Sequence, residues 1–232
     1  MSATLFGVGV GPGDPELMTL KAARLIASAP VVAYPVLEKG SSFARDIAAA
    51  HLGHQREVRI EIPMTVERAP AQAAYDRGAA EIAQALDEGS DVVVLCEGDP
   101  FFYGSFMYLH ARLSDRFACE VVPGVSSVMA CAAVVARPLV ARNERLIVLP
   151  GPLEEAELRA EIAAHDTVAI MKVGRHMPKL RAVIADLGLL DQAIYVERAT
   201  LGEEVVTPLA AAPDASPYFS MILITKGADP WL

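Results

Sequence analysis

The feature that most constrains this chain is a pattern used three times, an apolar strand running straight into a glycine turn. The first instance is Leu5-Phe-Gly-Val-Gly-Val-Gly-Pro-Gly-Asp-Pro15. Gly7, Gly9, Gly11 and Gly13 alternate there, and bare Cα positions predict a surface that a ligand can approach closely. The register excludes a dinucleotide phosphate loop. G-x-G-x-x-G begun at Gly7 ends on Pro12, and begun at Gly9 it ends on Asp14. Pro12 also removes a phosphate-holding N–H, and Asp14 adds a repelling charge.

The second instance is Glu97-Gly-Asp-Pro-Phe-Phe-Tyr-Gly104, directly after the apolar run Asp91–Cys96. Asp99 is readable as a brace for its own loop or as a contact for ligand hydroxyls or an ammonium group. The third is Val122-Pro-Gly-Val-Ser-Ser-Val128, where Ser126 and Ser127 can cap a helix or receive a carboxylate at its N-terminus.

Between these turns, strand and helix patterns alternate. Strands are expected at Thr4–Val10, Val31–Tyr34, Val58–Ile62, Asp91–Cys96 and Ala118–Val122. Helices are expected at Leu20–Ser28 behind Thr19, from Ser41 or Ser42 to His51, and at Ala71–Glu88, Tyr103–Ser114 and Ser126–Val135. Such alternation predicts a mostly parallel sheet covered on both faces. After a break at 137–143, strands Arg145–Leu149, Thr167–Met171, Ala193–Glu197, Glu203–Thr207 and Tyr218–Thr225 and helices Glu154–Ala164 and Met177–Leu187 predict a mixed sheet. The stretch Pro208–Pro217 reads as a mobile loop. The fold class is therefore α/β in two domains, 1–137 and 138–232.

The chain has 232 residues and a net charge of −9, which argues against nucleic acid as a partner. The longest apolar stretch, 121–136, is interrupted by Pro123, Gly124 and two serines, so no membrane span is expected. Cys96, Cys119 and Cys131 are odd in number and set in apolar surroundings, which suits reduced thiols in a cytoplasmic protein. No Cys or His spacing suggests a metal.

The three turns together, with Ala169-Ile-Met-Lys-Val-Gly174, Glu197-Arg-Ala-Thr200 and Ile222-Leu-Ile-Thr225, resemble the tetrapyrrole methylases. The resemblance implies a two-domain S-adenosylmethionine-dependent enzyme with the methyl donor in a cleft between the domains, usually a homodimer. Carried over residue by residue, it implies donor contacts at Pro12, Glu97, Gly98, Asp99, Phe102, Ser126, Ser127, Met171, Arg198, Ala199 and Thr225. For Asp99 it favours the contact over the brace. Gly11, Gly13 and Asp14, with Lys39, Arg45, Arg142 and Arg175, become candidates for holding a tetrapyrrole and its carboxylates. For each of these four cations the favoured reading is a solvated surface charge.

Within the family, Val31-Val-Ala-Tyr-Pro35, Ser41-Ser-Phe-Ala-Arg45 and Ile62-Pro-Met-Thr65 are similar to the branch that methylates C20 of precorrin-2, giving precorrin-3A in cobalamin synthesis. The uroporphyrinogen branch carries Tyr-Asp where this chain has Tyr34-Pro35. The alternatives are a cobalt-bound substrate, another precorrin, or a non-catalytic tetrapyrrole or donor sensor. Glu97, Tyr34 and Tyr103 are the candidate bases for the proton that methylation releases.

Overall fold

The computed structural model describes residues 3–37, 40–63 and 67–227. The chain divides into two compact units, Met1–Ser126 and Ser127–Leu232. The helix Ser127–Val134 thus groups with the second unit, ahead of the break at 137–143 where the sequence suggests a join.

The first unit holds strands β1 (Thr4–Gly9), β2 (Val31–Leu37), β3 (Arg56–Ile62), β4 (Val92–Cys96) and β5 (Ala118–Val122). They form one parallel sheet in the order β3-β2-β4-β1-β5. Its helices are α1 (Leu20–Ser28), α2 (Phe43–Ile47), α3 (Arg68–Asp87) and α4 (Phe106–Leu113). Local chemistry sets their starts. Thr19 Oγ1 accepts the Ala22 N–H at 3.1 Å to open α1, and Ser42 caps α2 through the Arg45 N–H at 3.4 Å. Gly89, at φ +84°, follows the end of α3 in a left-handed conformation that glycine adopts without strain.

The unbroken apolar run of β4 has a simple cause. Val92, Val94 and Cys96 face one core with Tyr75, Ile82, Phe106 and Leu109, while Val93 and Leu95 face another with Val8, Ile26, Tyr34 and Ile47. A strand covered on both faces has no solvent side to mark with polar residues. Each of these fully buried large side chains contributes roughly 1.5–3 kcal/mol.

The second unit holds α5 (Ser127–Val134), β6 (Leu146–Pro150), α6 (Glu155–Ala164), β7 (Thr167–Met171), α7 (Met177–Asp186), β8 (Ala193–Glu197), β9 (Val205–Pro208) and β10 (Ser220–Thr225). Their order is β6-β7-β10-β8-β9. Only the β6–β7 pair is parallel, so the sheet is mixed, as the sequence pattern predicts. Its core is built from Leu158, Ile162, Ile170, Leu180, Tyr195 and Ile222.

Two expectations need correction. Tyr103 is not helical, since α4 begins at Phe106 and Tyr103 has φ +57°. Pro208–Pro217 is tethered rather than loose. Leu209 is fully buried, and the Arg181 guanidinium donates to the carbonyls of Ala212 and Pro213 while pairing with Asp214. Among the described residues no helix is long and apolar enough to cross a membrane.

Candidate active site at the strand ends

In the first unit the three glycine turns meet at the C-terminal ends of β1, β4 and β5. Gly98 donates its N–H to the Gly11 carbonyl at 2.8 Å, Gly11 donates to the Gly98 carbonyl at 3.3 Å, and Val10 donates to the Cys96 carbonyl at 2.9 Å. A Cβ on Gly9 would stand 2.6 Å from both Gly98 O and Gly124 N, and one on Gly124 would stand 2.0 Å from Gly98 O. This corrects the ligand-facing reading at Gly7 and Gly9. Gly9 is bare so that three backbones can touch, and Gly7 is bare because the Phe106 ring fills the space where its side chain would be. Gly104 likewise packs on the carbonyls of Asp99 and Pro100 instead of opening a helix.

Asp99 ties two of these turns together. Its Oδ1 accepts the N–H groups of Phe101 (2.9 Å) and Phe102 (3.1 Å), and its Oδ2 accepts that of Gly124 (3.1 Å). The geometry is that of a brace, and the brace reaches beyond its own loop. Asp14 plays a smaller version of this part, capping the short turn Pro15–Leu17 through the Glu16 N–H at 2.8 Å. Pro12 lies in the same turn as Gly11 and Gly13, and Ser126 and Ser127 lead into α5.

Glu97 is the first residue past β4 and is half-buried. Burial pushes its carboxyl above the ordinary carboxylate range. Tyr34 is in a different position. Its hydroxyl donates to Glu57, whose carboxylate also receives a bidentate pair from Arg45, Nε at 2.8 Å and Nη2 at 2.9 Å. Arg45 first, and then Tyr34, hold the Glu57 carboxyl down to about 2. Burial and the neighbouring Glu57 raise the Tyr34 phenol. Arg45 is therefore committed to a protein carboxylate, and Tyr34 is a fixed donor rather than a base. Glu57 was not singled out in the sequence, because alternation along β3 gives an exposed acid no distinguishing mark. Lys39 lies outside the described residues, as do Met64 and Thr65 of the Ile62–Thr65 motif.

In the second unit, Met171 ends β7 and pairs with Met221 at the start of β10, which in turn pairs with Val196 of β8. Arg198 and Ala199, just past β8, thus lie at the same end of the sheet as Met171. The Arg198 guanidinium pairs with Glu203, and its backbone N–H donates to the Phe219 carbonyl at 2.8 Å. Thr225 is elsewhere. It pairs with Thr167 at the start of β7, about 13 Å along the strand from Met171 at roughly 3.3 Å per residue. The structure separates it from the other second-unit candidates. Arg142 and Arg175 are both exposed on this unit.

One signal was invisible in the sequence. Tyr103, Lys172, Arg198 and Thr200 all hold left-handed backbone at φ 50–70° without being glycine. Each follows a strand end that carries a candidate residue, and strained backbone of this kind concentrates at functional sites. Lys172 and Thr200 thereby join the candidate set.

The residue types at these strand ends suit a sulfonium cofactor. They provide backbone polar groups on stiff turns, the apolar Met171 and a half-exposed guanidinium at Arg198. Among the described residues there is no group of three or more His, Cys, Asp or Glu able to hold a metal ion.

Comparison with known proteins gives this arrangement its family. The chain is 42% identical to the precorrin-2 C(20)-methyltransferase of a Sinorhizobium species, over 97% of this chain and 96% of that protein. It is 33% identical to the cobalt-precorrin-2 C(20)-methyltransferase of Salmonella typhimurium, covering 97% and 98%. It is also 45% identical to the cobalamin biosynthesis protein CobIJ of Mycobacterium bovis over 97% of this chain, but it spans about half, 46%, of that longer relative. Among solved structures, a cobalt precorrin-4 methyltransferase superposes with a TM-score of 0.75 at 25% identity, covering 98% of this chain and 96% of the other. The native uroporphyrin III C-methyltransferase of Thermus thermophilus superposes at 0.69 and 26%, covering 95% and 97%. The family model for tetrapyrrole (corrin/porphyrin) methylases matches residues 4–213, and the chain belongs to that family.

Proposed function

We propose that this protein transfers the methyl group of S-adenosylmethionine to C20 of precorrin-2, giving precorrin-3A in cobalamin biosynthesis. The observation that carries this reading is its 42% identity, end to end, with a relative named for that reaction. The lower identity to the cobalt-substrate relative favours the metal-free substrate.

In this reading the turns at Pro12, Glu97–Phe102 and Ser126–Ser127 contact the donor, Glu97 through its backbone groups and not its carboxyl, as do Met171, Lys172, Arg198 and Ala199. Bound there, the donor supplies an activated methyl group. The chain's own task is to place the nucleophilic meso carbon in line with that group and to exclude water. The rigid contact of Gly9, Gly98 and Gly124 suits that task, because a turn without slack holds its ligand in one geometry. Arg142 and Arg175 are exposed cations suited to the substrate's carboxylates.

The same reading includes a cytoplasmic location, in keeping with three unpaired cysteines, and no nucleic-acid partner, in keeping with the charge of −9. It also includes pairing of two copies. Met129, Ala133, Ala136, Leu139 and Val140 line an open apolar cavity of about 430 Å³, with Met129 and Val140 exposed. Light scattering over a wide dilution range should give the mass of two chains, and a monomer mass throughout would exclude the pair.

The functional test supplies isotope-labelled S-adenosylmethionine with precorrin-2 and, separately, with its cobalt complex. Label should move to precorrin-2 in preference. Preference for the cobalt complex, or transfer to neither, contradicts the proposal.

A further inference from the structure

Methylating a meso carbon that carries hydrogen leaves one proton to be removed. The first unit has few groups at its strand ends able to accept it, and nearly all are already engaged. Both oxygens of Asp99 hold backbone N–H groups, and Asp14 caps its own turn. Glu57 is bound by Arg45 and Tyr34. Tyr103 packs edge-on against the Phe102 ring and is also engaged. At the second unit's own strand ends the carboxylates are engaged as well. Glu197 accepts the Tyr195 hydroxyl at 2.8 Å, Glu203 pairs with Arg198, and Glu204 accepts the Thr200 N–H at 2.7 Å.

Glu97 differs from these, and also from Glu16 and Glu61, which are exposed to solvent. It follows the last residue of the central strand β4, beside the Gly11–Gly98 bridge that joins two turns. No hydrogen bond or ion pair engages its carboxyl among the described residues, and burial alone raises its proton affinity. A carboxylate in such a setting is a stronger base than one on the surface, and its partial exposure leaves a route for the proton to water. We propose that Glu97 is the general base of the methyl transfer, taking the proton from the meso carbon that gains the methyl group. The assignment rests on the functional reading above.

The step balances. The π electrons of the meso carbon form the new bond to the methyl carbon, and the carbon–sulfur bond breaks with its electron pair kept by sulfur. The ring then holds a positive charge and one hydrogen too many at that carbon. A Glu97 oxygen takes the proton, the C–H electron pair returns to the ring, and the neutral carboxyl later gives its proton to water.

The test compares the parent protein with Glu97→Gln and Glu97→Ala in two assays. In the first, methyl transfer is followed alongside calorimetry with S-adenosylhomocysteine. Both variants should lose on the order of 100-fold or more in kcat, with affinity for S-adenosylhomocysteine and KM for precorrin-2 within about threefold. Added formate should restore part of the rate to Glu97→Ala, because it fits the space left by the carboxyl.

The second assay needs no turnover. In heavy water, with S-adenosylhomocysteine in place of the donor, the parent should exchange the meso hydrogen of precorrin-2 for deuterium, and Glu97→Gln should not. Parent-like kcat and exchange in Glu97→Gln overturn the assignment while leaving the function standing. Loss of S-adenosylhomocysteine binding in the variants makes Glu97 a binding residue and overturns it too. No methyl transfer by the parent overturns the functional reading and this assignment with it.

Discussion

The Asp99 carboxylate accepts the backbone N–H of Gly124 at 3.1 Å, joining two turns that lie 25 residues apart. The same carboxylate holds Phe101 and Phe102, so one side chain fixes the shape of one strand-end turn and its position against another. Asp99→Ala should therefore cost about 1–3 kcal/mol of stability by leaving backbone donors without their acceptor. Donor affinity should fall with it. Chemical denaturation and calorimetry with S-adenosylhomocysteine measure the two effects. Loss of affinity at unchanged stability would mean that Asp99 acts on the ligand and not on the turn.

The contact of Gly9 with Gly98 and Gly124 gives a sharper forecast. Gly9→Ala places a methyl group 2.6 Å from backbone atoms that have no side-chain freedom to yield. The cost should reach at least about 2 kcal/mol, the range of overpacked cores. Gly202→Ala is the control, since a Cβ there meets nothing within 4 Å and its φ is ordinary. It should stay within about 0.5 kcal/mol of the parent by thermal melting.

The Tyr34–Glu57–Arg45 cluster predicts a pH dependence. The folded-state Glu57 carboxyl titrates at about 2, below its ordinary 4.5. Its contribution is therefore fully present above about 4.5 and is lost as pH falls through 2. Glu57→Gln should be about 1–2 kcal/mol less stable than the parent at neutral pH, as for a bidentate pair at the edge of solvent. The gap should close between pH 4.5 and 2 in denaturant titrations at stepped pH. A gap that persists at low pH would assign the loss to packing instead.

Thiol chemistry offers a further check. Burial raises all three cysteines, Cys131 to about 12, and Cys96 is the most enclosed. At mildly alkaline pH the folded protein should react with a disulfide reagent at least about tenfold more slowly than the denatured chain. Rapid labelling of Cys96 in the folded state would contradict the placement of β4.

Periodicity alone found most of the fold. The sequence placed α1, β5, β7 and β8 with the ends observed, because each is bounded by a cap, a turn or a change of period. The start of α4 escaped it, since Tyr103 looks helical by pattern yet turns left-handed. The turns themselves were legible from glycine and proline, but the purpose of the glycines was not. Whether a missing Cβ makes room for a ligand or for another backbone depends on residues far along the chain, as Gly9 shows against Gly98 and Gly124. Partner choice was equally hidden. Arg45 reads as a free cation until Glu57, 12 residues on, is seen holding it. Thr225 and Met171 both close apolar strands, and only the antiparallel pairing of β10 with β7 sends the two to opposite ends of the sheet.

The central claim is where the methyl group lands. Precorrin-2 incubated with the protein and S-adenosylmethionine carrying a heavy-carbon methyl should yield a product heavier by one labelled methylene. Nuclear magnetic resonance of that product should place the label on C20, with the C20 hydrogen gone. Label at any other ring position, or a product indistinguishable from precorrin-2, would contradict the account.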